Sequence, residues 1–415
     1  MKETKYNISL ARGVILYLWI TYFIYLLLPS EKSVGINENY TIVFLLFVSI
    51  AFFLGCKSIP VKSSSQVTRE FHGLIVNEML LQAFLIFSTL FTIMYIRDML
   101  AQGLGSFSLD IGENYVTYQD SESRYNSIWG QFYVLSSPIR FFVLAYCAIV
   151  FKKIKASTRV LYFLFLISTF LHSLIQGKNV GLGYIVLIIS VAYFLVCLKR
   201  HAFKQYKRIA LIGGVVFVLY FVLSITTRVE AYGGSIEDQI IDPNSWLIKV
   251  FGTRGGLGIT RLLNYFSHGY KGLNYCLQLP FVWTHGYGGA MGLESYLTQY
   301  LHVEPQLANT YPVRMEMVYG YSGLNSWPTV FPWWASDLSF PGVIIFMFFI
   351  GRFMCLLLRD SYCYSNQLAT VLFSYFFILI ACLPLNNQIL QTRPTFLTTV
   401  VFLFLRVFSR ISSTK

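Results

Sequence analysis

Charged side chains are scarce in this sequence. Of its 415 residues, 12% are Asp, Glu, Lys or Arg and 55% are hydrophobic, whereas a soluble domain is roughly 25% charged. The mean hydropathy is +0.58, which excludes an ordinary soluble globular domain. CxxC, HExxH and any other metal-ligand spacing of His, Cys or carboxylates are missing, so no metal and no cofactor is expected. The seven cysteines lie mostly in or beside apolar runs, and only Cys276 falls in the long polar stretch, which excludes a disulfide framework. The glycines after Arg254 do not complete a GxxxxGK[ST] phosphate loop. No internal repeat, heptad or low-complexity segment is present. After Met1–Ser9 the chain runs into an apolar stretch without a small-residue cleavage site, which reads as a retained first span.

What the chain has is apolar runs of spanning length. About 20 residues cross the hydrocarbon core as a helix, and ten such segments are predicted at about 10–29, 39–56, 73–97, 129–151, 158–176, 180–198, 208–227, 339–358, 367–385 and 394–409. The expected fold class is an all-α polytopic membrane protein of about 10 transmembrane helices (10–12). Its expected parts are an N-terminal bundle of seven spans over 1–227, a large periplasmic loop over 228–338 that caps the site, and the last spans over 339–415.

The net charge of +13 is not a nucleic-acid signature, because its distribution follows the positive-inside pattern. The basic residues Lys2, Lys5 and Arg12; Lys57, Lys62 and Arg69; Lys152, Lys153, Lys155 and Arg159; Lys199, Arg200, Lys204, Lys207 and Arg208; Arg352 and Arg359; and Arg406, Arg410 and Lys415 all fall on one side. That side is cytoplasmic, and both termini lie on it. The loop after the third span, on the other face, carries Asp98, Asp110, Glu113, Asp120 and Glu122 against Arg97 and Arg124.

The polar interruption from Arg228 to about Trp333 lies on the outer face. Structureless loops of that length are uncommon and usually functional. Asp242-Pro243-Asn244-Ser245 reads as a helix start. The apolar residues Trp246, Leu247, Ile248, Val250 and Phe251, then Ile259, Leu262, Leu263 and Phe266, predict short amphipathic helices lying on the outer leaflet.

Two ionisable residues sit inside apolar spans. Arg140, just after Pro138, is open to two readings: a cation at the floor of an outward-facing cavity, or an internal ion pair with Glu78. Lys178 occupies the tight turn Gln176-Gly177-Lys178-Asn179, and Arg228 emerges from the seventh span. Arg254 and Arg261 flank Gly255-Gly256-Leu257-Gly258. Together Arg140, Lys178, Arg228, Arg254 and Arg261 are the candidate diphosphate-binding set, since guanidinium forks match phosphate oxygens. Candidate proton acceptors are His268 and His285 first, then Glu230 and Asp337, with His302 and Glu294 also on this face. Trp246, Tyr265, Tyr270, Trp283 and Tyr287 are candidates for stacking on sugar rings. His172 stands alone in its span.

These residues resemble the O-antigen polymerases, the bacterial oligosaccharide repeat-unit polymerases. Gly177-Lys178-Asn179 resembles the family's Gly-Arg turn, with lysine in place of arginine. Arg228 matches the arginine that opens the large periplasmic loop. Asn325-Ser326-Trp327-Pro328-Thr329 through Asp337-Leu338-Ser339-Phe340-Pro341-Gly342 to Gly351 resembles the end of that loop, and Arg261 with Gly272 fits its arginine, ten residues, glycine pattern. The resemblance implies a fold like the GT-C membrane glycosyltransferases, in the bacterial inner membrane. It also implies metal-independent transfer of a growing glycan from undecaprenyl diphosphate onto a new lipid-linked repeat unit in lipopolysaccharide or surface polysaccharide biosynthesis. The implied partners are the undecaprenyl-diphosphate-linked oligosaccharide, membrane lipid and a chain-length regulator. The alternatives are the O-antigen ligase with the same donor, and a lipid-linked oligosaccharide flippase or transporter. A transporter would carry polar residues through its spans and detectable repeats, and a membrane acyltransferase would need an intramembrane histidine pair. The topology makes a direct prediction: a periplasm-activated reporter is active when fused within 110–122 or 280–290 and inactive when fused after Lys415.

Overall fold

A computed structural model describes residues 2–28, 38–59, 76–104, 106, 114, 125–200, 202–231, 245–324 and 326–411. Several sequence landmarks lie outside the described residues: Lys62, Arg69, Asp110, Glu113, Asp120, Glu122, Arg124, Asp242, Pro243, Asn244, Asn325 and Lys415, together with the side chains of Lys2, Lys5, Glu230 and Arg410.

Every regular element among these residues is helical, one short 3-10 helix at Leu307–Asn309 and fifteen α-helices. In chain order they are α1 (Lys2–Leu27), α2 (Asn39–Lys57), α3 (Glu78–Ala101), α4 (Ile128–Leu135), α5 (Ser137–Val150), α6 (Ala156–Ile175), α7 (Asn179–Lys199), α8 (Phe203–Ala231), α9 (Trp246–Ser267), α10 (Gly269–Cys276), α11 (Met291–Leu301), α12 (Tyr311–Tyr319), α13 (Val330–Tyr362), α14 (Gln367–Ala381) and α15 (Arg393–Ile411). Seven are long and apolar enough to cross a membrane, and up to eight if the pair α4 and α5, bent by 44°, is one span. The chain is thus a helical, membrane-embedded protein. Helices occupy all ten segments expected to span. The ninth, α14, has 15 residues and is about 22 Å long, short of the roughly 30 Å hydrocarbon core.

The chain divides into two compact units, residues 74–262, and residues 1–73 with 263–415. The division falls between residues 262 and 263, within the long loop. In the second of these units α2 lies along α13 at very close range. Backbone meets backbone there: Gly55 faces the Phe348 carbonyl, Gly351 faces the Phe52 carbonyl, and the Cys56 thiol donates to the Gly351 carbonyl at 3.4 Å. Small residues let helices approach this way where lipid offers no hydrophobic drive for association. α13 begins at Val330, nine residues before the span expected from 339. It is broken at Ser339 (φ +62), two residues before Pro341, because proline has no N–H for the helical ladder and its ring crowds the preceding turn.

The loop helices also differ from expectation. α9 is 22 residues long with a break at Gly252, not a short segment. α10 does not lie on a surface: Tyr270, Leu273, Asn274 and Cys276 are buried. The Tyr270 hydroxyl donates to the Leu18 carbonyl at 2.9 Å and sits 2.8 Å from Thr21 Oγ1, and Thr41 donates to Asn274 at 3.2 Å.

In the 74–262 unit α3 packs on α6, α5 on α7, and α7 on α8. Glu78, at the start of α3, accepts from the Lys155 backbone at 2.6 Å and the Thr158 hydroxyl at 2.8 Å. Ser136 separates α4 from α5, and Pro138 sits in the first turn of α5. Replacing Gly55 by Ala would push a methyl group into the Phe348 carbonyl and cost about 1–3 kcal/mol. The expected result is a lower melting temperature of the purified protein in detergent, whereas Gly13→Ala, with open space around it, does not lower it.

Candidate functional site

All five candidate diphosphate-binding cations fall within the 74–262 unit, and a run of polar contacts interrupted by stretches of the chain itself leads from Arg140 to Arg228 beside Lys178. Arg140 is 7% exposed. Its guanidinium carbon lies 3.4 Å from the Tyr133 ring centroid, and it donates to the Tyr133 carbonyl at 2.8 Å. Tyr133 and Arg140 lie on either side of the bend at Ser136, where α4 and α5 meet at 44°. The Arg140 Nε is buried without a hydrogen-bond partner. Glu78 is engaged at Lys155 and Thr158, so the internal Arg140–Glu78 ion pair is not formed. A buried guanidinium with no carboxylate among the described residues is costly, since desolvation of the charge is only partly offset by one carbonyl and one ring face.

From Tyr133 the path continues through a residue that sequence reasoning passed over. The Tyr133 hydroxyl is 3.2 Å from His172 Nδ1, and His172 Nε2 is 3.1 Å from the Gln176 amide nitrogen. With the amide donating, Nε2 accepts and the ring proton sits on Nδ1, an assignment made from the network. Tyr95 stacks on Tyr133 at 4.6 Å between centroids, and Tyr125 on Tyr95 at 5.6 Å. Beyond Gln176 the chain turns at Gly177 (φ +60), a left-handed position suited to glycine. Arg228 donates to the Gly177 carbonyl, beside Lys178, and the Ser224 hydroxyl donates to Asn179 at 2.8 Å. The end of α8 is thereby strapped to the turn between α6 and α7. Arg254, Gly258 and Arg261 recur at i, i+4 and i+7, one face of α9. Gly258 on that face lies against Val222 of α8. Arg254 is exposed and Arg261 half-buried. Trp246, at the start of α9, is exposed.

The second cluster belongs to the other unit and gathers His285, Asp337, Trp283 and Tyr287. The Asp337 carboxylate accepts from the Thr284 hydroxyl, the Gly286 N–H at 3.0 Å and the Gly289 N–H at 2.9 Å. Both of its oxygens are used, so Asp337 clamps the turn instead of standing free as a proton acceptor. The clamp holds His285 (φ +58) and Gly286 (φ +83) in left-handed geometry. On this turn the rings form a row, Trp283 to His285 at 4.9 Å and His285 to Tyr287 at 6.4 Å, with Trp283 56% exposed. The Tyr287 hydroxyl donates to the Glu304 carbonyl at 3.1 Å.

Behind the turn, Glu294 is 6% exposed. Its Oε1 accepts from the Gln306 N–H and from the Leu307 N–H at 2.8 Å. Burial pushes its carboxyl above the ordinary carboxylate range, the two N–H bonds oppose that, and the nearby Asp337 charge adds to it. The irregular segment after α14 supplies Asn387, which donates to the Gly289 carbonyl at 2.7 Å. Arg393, the first residue of α15, donates to the Ser295 hydroxyl at 3.0 Å.

The remaining candidates separate from these clusters. His268 caps α9 through the Asn264 carbonyl and meets the Tyr265 ring, which also touches Trp327. His302 ends α11 in left-handed geometry. Tyr270 is fully buried and its hydroxyl is committed to α1, so the expected sugar-stacking role is corrected: it has no free ring face. The Glu230 side chain lies outside the described residues. Comparison of the chain with family models, with curated proteins and with solved structures gave no match.

The class that fold and clusters define is a polytopic membrane protein with a buried cationic network in one unit and a carboxylate-clamped aromatic turn in the other. Asp337→Ala strands two backbone N–H groups and a hydroxyl, at about 1–3 kcal/mol for each that stays dry. The expected result is faster amide hydrogen exchange over 284–289, with exchange in α2 unaltered.

Proposed function

We propose that the chain is a polymerase of lipid-linked oligosaccharide repeat units, acting at the outer face of a bacterial inner membrane with a GT-C-like arrangement of its helices. In this reading a growing glycan leaves undecaprenyl diphosphate and is joined to a hydroxyl of the next lipid-linked unit. The observation that supports it is the buried Arg140 guanidinium, lacking a counter-carboxylate among the described residues and linked through Tyr133, His172 and Gln176 to the turn where Arg228 meets Gly177 beside Lys178. Diphosphate leaves when its developing charge is held by cations already in place, because fixed donors need no reorganisation as the bond breaks. An uncompensated buried cation has its cost relieved when an anion arrives. A chain-length regulator would then be the protein partner, and the O-antigen ligase, which uses the same donor, is the rival reading.

Three strains separate these outcomes. Cells lacking the protein carry one repeat unit on their lipid A core if it is the polymerase and none if it is the ligase. Arg228→Ala and Arg140→Lys each reduce long-chain polymer about 100-fold or more, while the protein remains in the membrane at normal amount. Ladder gels with normal chain length in both variants overturn the reading.

A further inference from the structure

The carboxylate-clamped turn has features that the cationic network does not explain. Trp283, His285 and Tyr287 present a row of rings to the outside, although the backbone beneath them is held in left-handed geometry at His285. A non-glycine residue in that region is uncommon and costs free energy, and three hydrogen bonds to Asp337 maintain it. Directly behind the turn, polar groups are dry and incompletely used. Asn387 is 3% exposed; its amide nitrogen is bound to the Gly289 carbonyl but its Oδ1 has no partner. The neighbouring Asn386 amide nitrogen is buried without a partner, as is one terminal nitrogen of Arg393. Both hydrogen bonds to Glu294 converge on Oε1, so among the described residues Oε2 has none.

Buried polar groups in native proteins are satisfied with few exceptions, and each exception calls for a reason. Here the buried unused groups include donors (Asn386, Arg393) and an acceptor (Asn387), and Glu294 Oε2, which keeps contact with solvent, is a further acceptor. A phosphate would use only the donors and would be repelled by the two carboxylates. An apolar ligand would use none. A sugar is the ligand that presents hydroxyls acting as donor and acceptor together with a C–H face for an aromatic ring.

We propose that the turn 283–289 is a neutral-glycan subsite, with Trp283 and Tyr287 stacking on sugar rings and Glu294 Oε2 accepting a sugar hydroxyl. It deepens the polymerase reading by assigning the glycan, as distinct from the lipid diphosphate, to this turn. It also turns from His268 and His285, the first candidate acceptors, to Glu294, whose side chain is 6% exposed and held in place where that of His285 is exposed. Glu294 Oε1 is held by two N–H groups, so Oε2 can accept a hydroxyl without losing an existing protein hydrogen bond.

The test uses the full chain in detergent and, as probe, the oligosaccharide released by mild acid from the lipid-linked pool of cells lacking the protein. Saturation-transfer NMR is expected to show saturable binding to the wild type. Affinity is expected to fall about tenfold in Trp283→Ala and in Glu294→Gln, and to be unaltered in Lys249→Ala on the exposed start of α9. Trp283 is exposed, so its variant reports even if Glu294→Gln fails to fold. No binding to the wild type, or equal binding by Trp283→Ala, overturns the subsite. So does quenching of fluorescence by brominated lipid that is lost in Trp283→Ala, with no response of the wild type to oligosaccharide, which would make the ring row part of an interfacial belt. The two readings fail separately: normal polymer in Arg228→Ala sinks the polymerase, whereas loss of oligosaccharide binding sinks only this assignment.

Discussion

Backbone hydrogen bonding in a medium that offers no partners is the constraint on which this structure depends. Each peptide group in hydrocarbon must be satisfied internally at a cost of several kcal/mol if it is not, which leaves the helix as the only single-segment solution. A helix satisfies its own backbone and leaves little for side-chain chemistry to organise. Polar chemistry therefore collects where helices stop or break. Tyr133 and Arg140 meet across the break at Ser136. Arg228 finds the open carbonyl of the turn at Gly177, and Asp337 lies two residues before the break at Ser339. Asn386, Asn387 and Arg393 follow the end of α14.

The two clusters solve different electrostatic problems. In the 74–262 unit a positive charge is held in a dry place by a carbonyl and a ring face, and the network is built from neutral polar groups. Such a cation is a standing acceptor for an anion. In the other unit two carboxylates lie near one another. They are kept apart in role by their donors: Asp337 spends both oxygens on a turn, while Glu294 is bound through one oxygen and raised by burial.

The expectations from sequence divided along the same line. Hydropathy located the long apolar helices, because the free energy of burying some twenty apolar side chains exceeds any local preference, but not the length of α9. It misplaced the start of α13, because Phe331, Trp333 and Trp334 are buried without belonging to an unbroken apolar run. Arg140 was legible as an anomaly, since a charge inside an apolar run is expensive wherever it points. Its partner was not: Glu78 was the nearest acid by composition, yet its carboxylate is occupied at Lys155 and Thr158. His172 looked solitary because Tyr133 and Gln176 reach it from another helix and from the following turn. Tyr270 looked like a loop aromatic and is core, because α10 is buried.

By itself the sequence determined that the chain is helical, that it lives in a membrane, which connectors carry the positive charge, and which few charged residues are too costly to be incidental. These follow from composition summed over many residues, and such sums survive ignorance of contacts. Only the tertiary structure decided which groups meet. A hydrogen bond is made or lost within a few tenths of an ångström, and residues far apart in the chain, such as Gly177 and Arg228 or Gly289 and Asn387, come within that range only through the packing of whole helices.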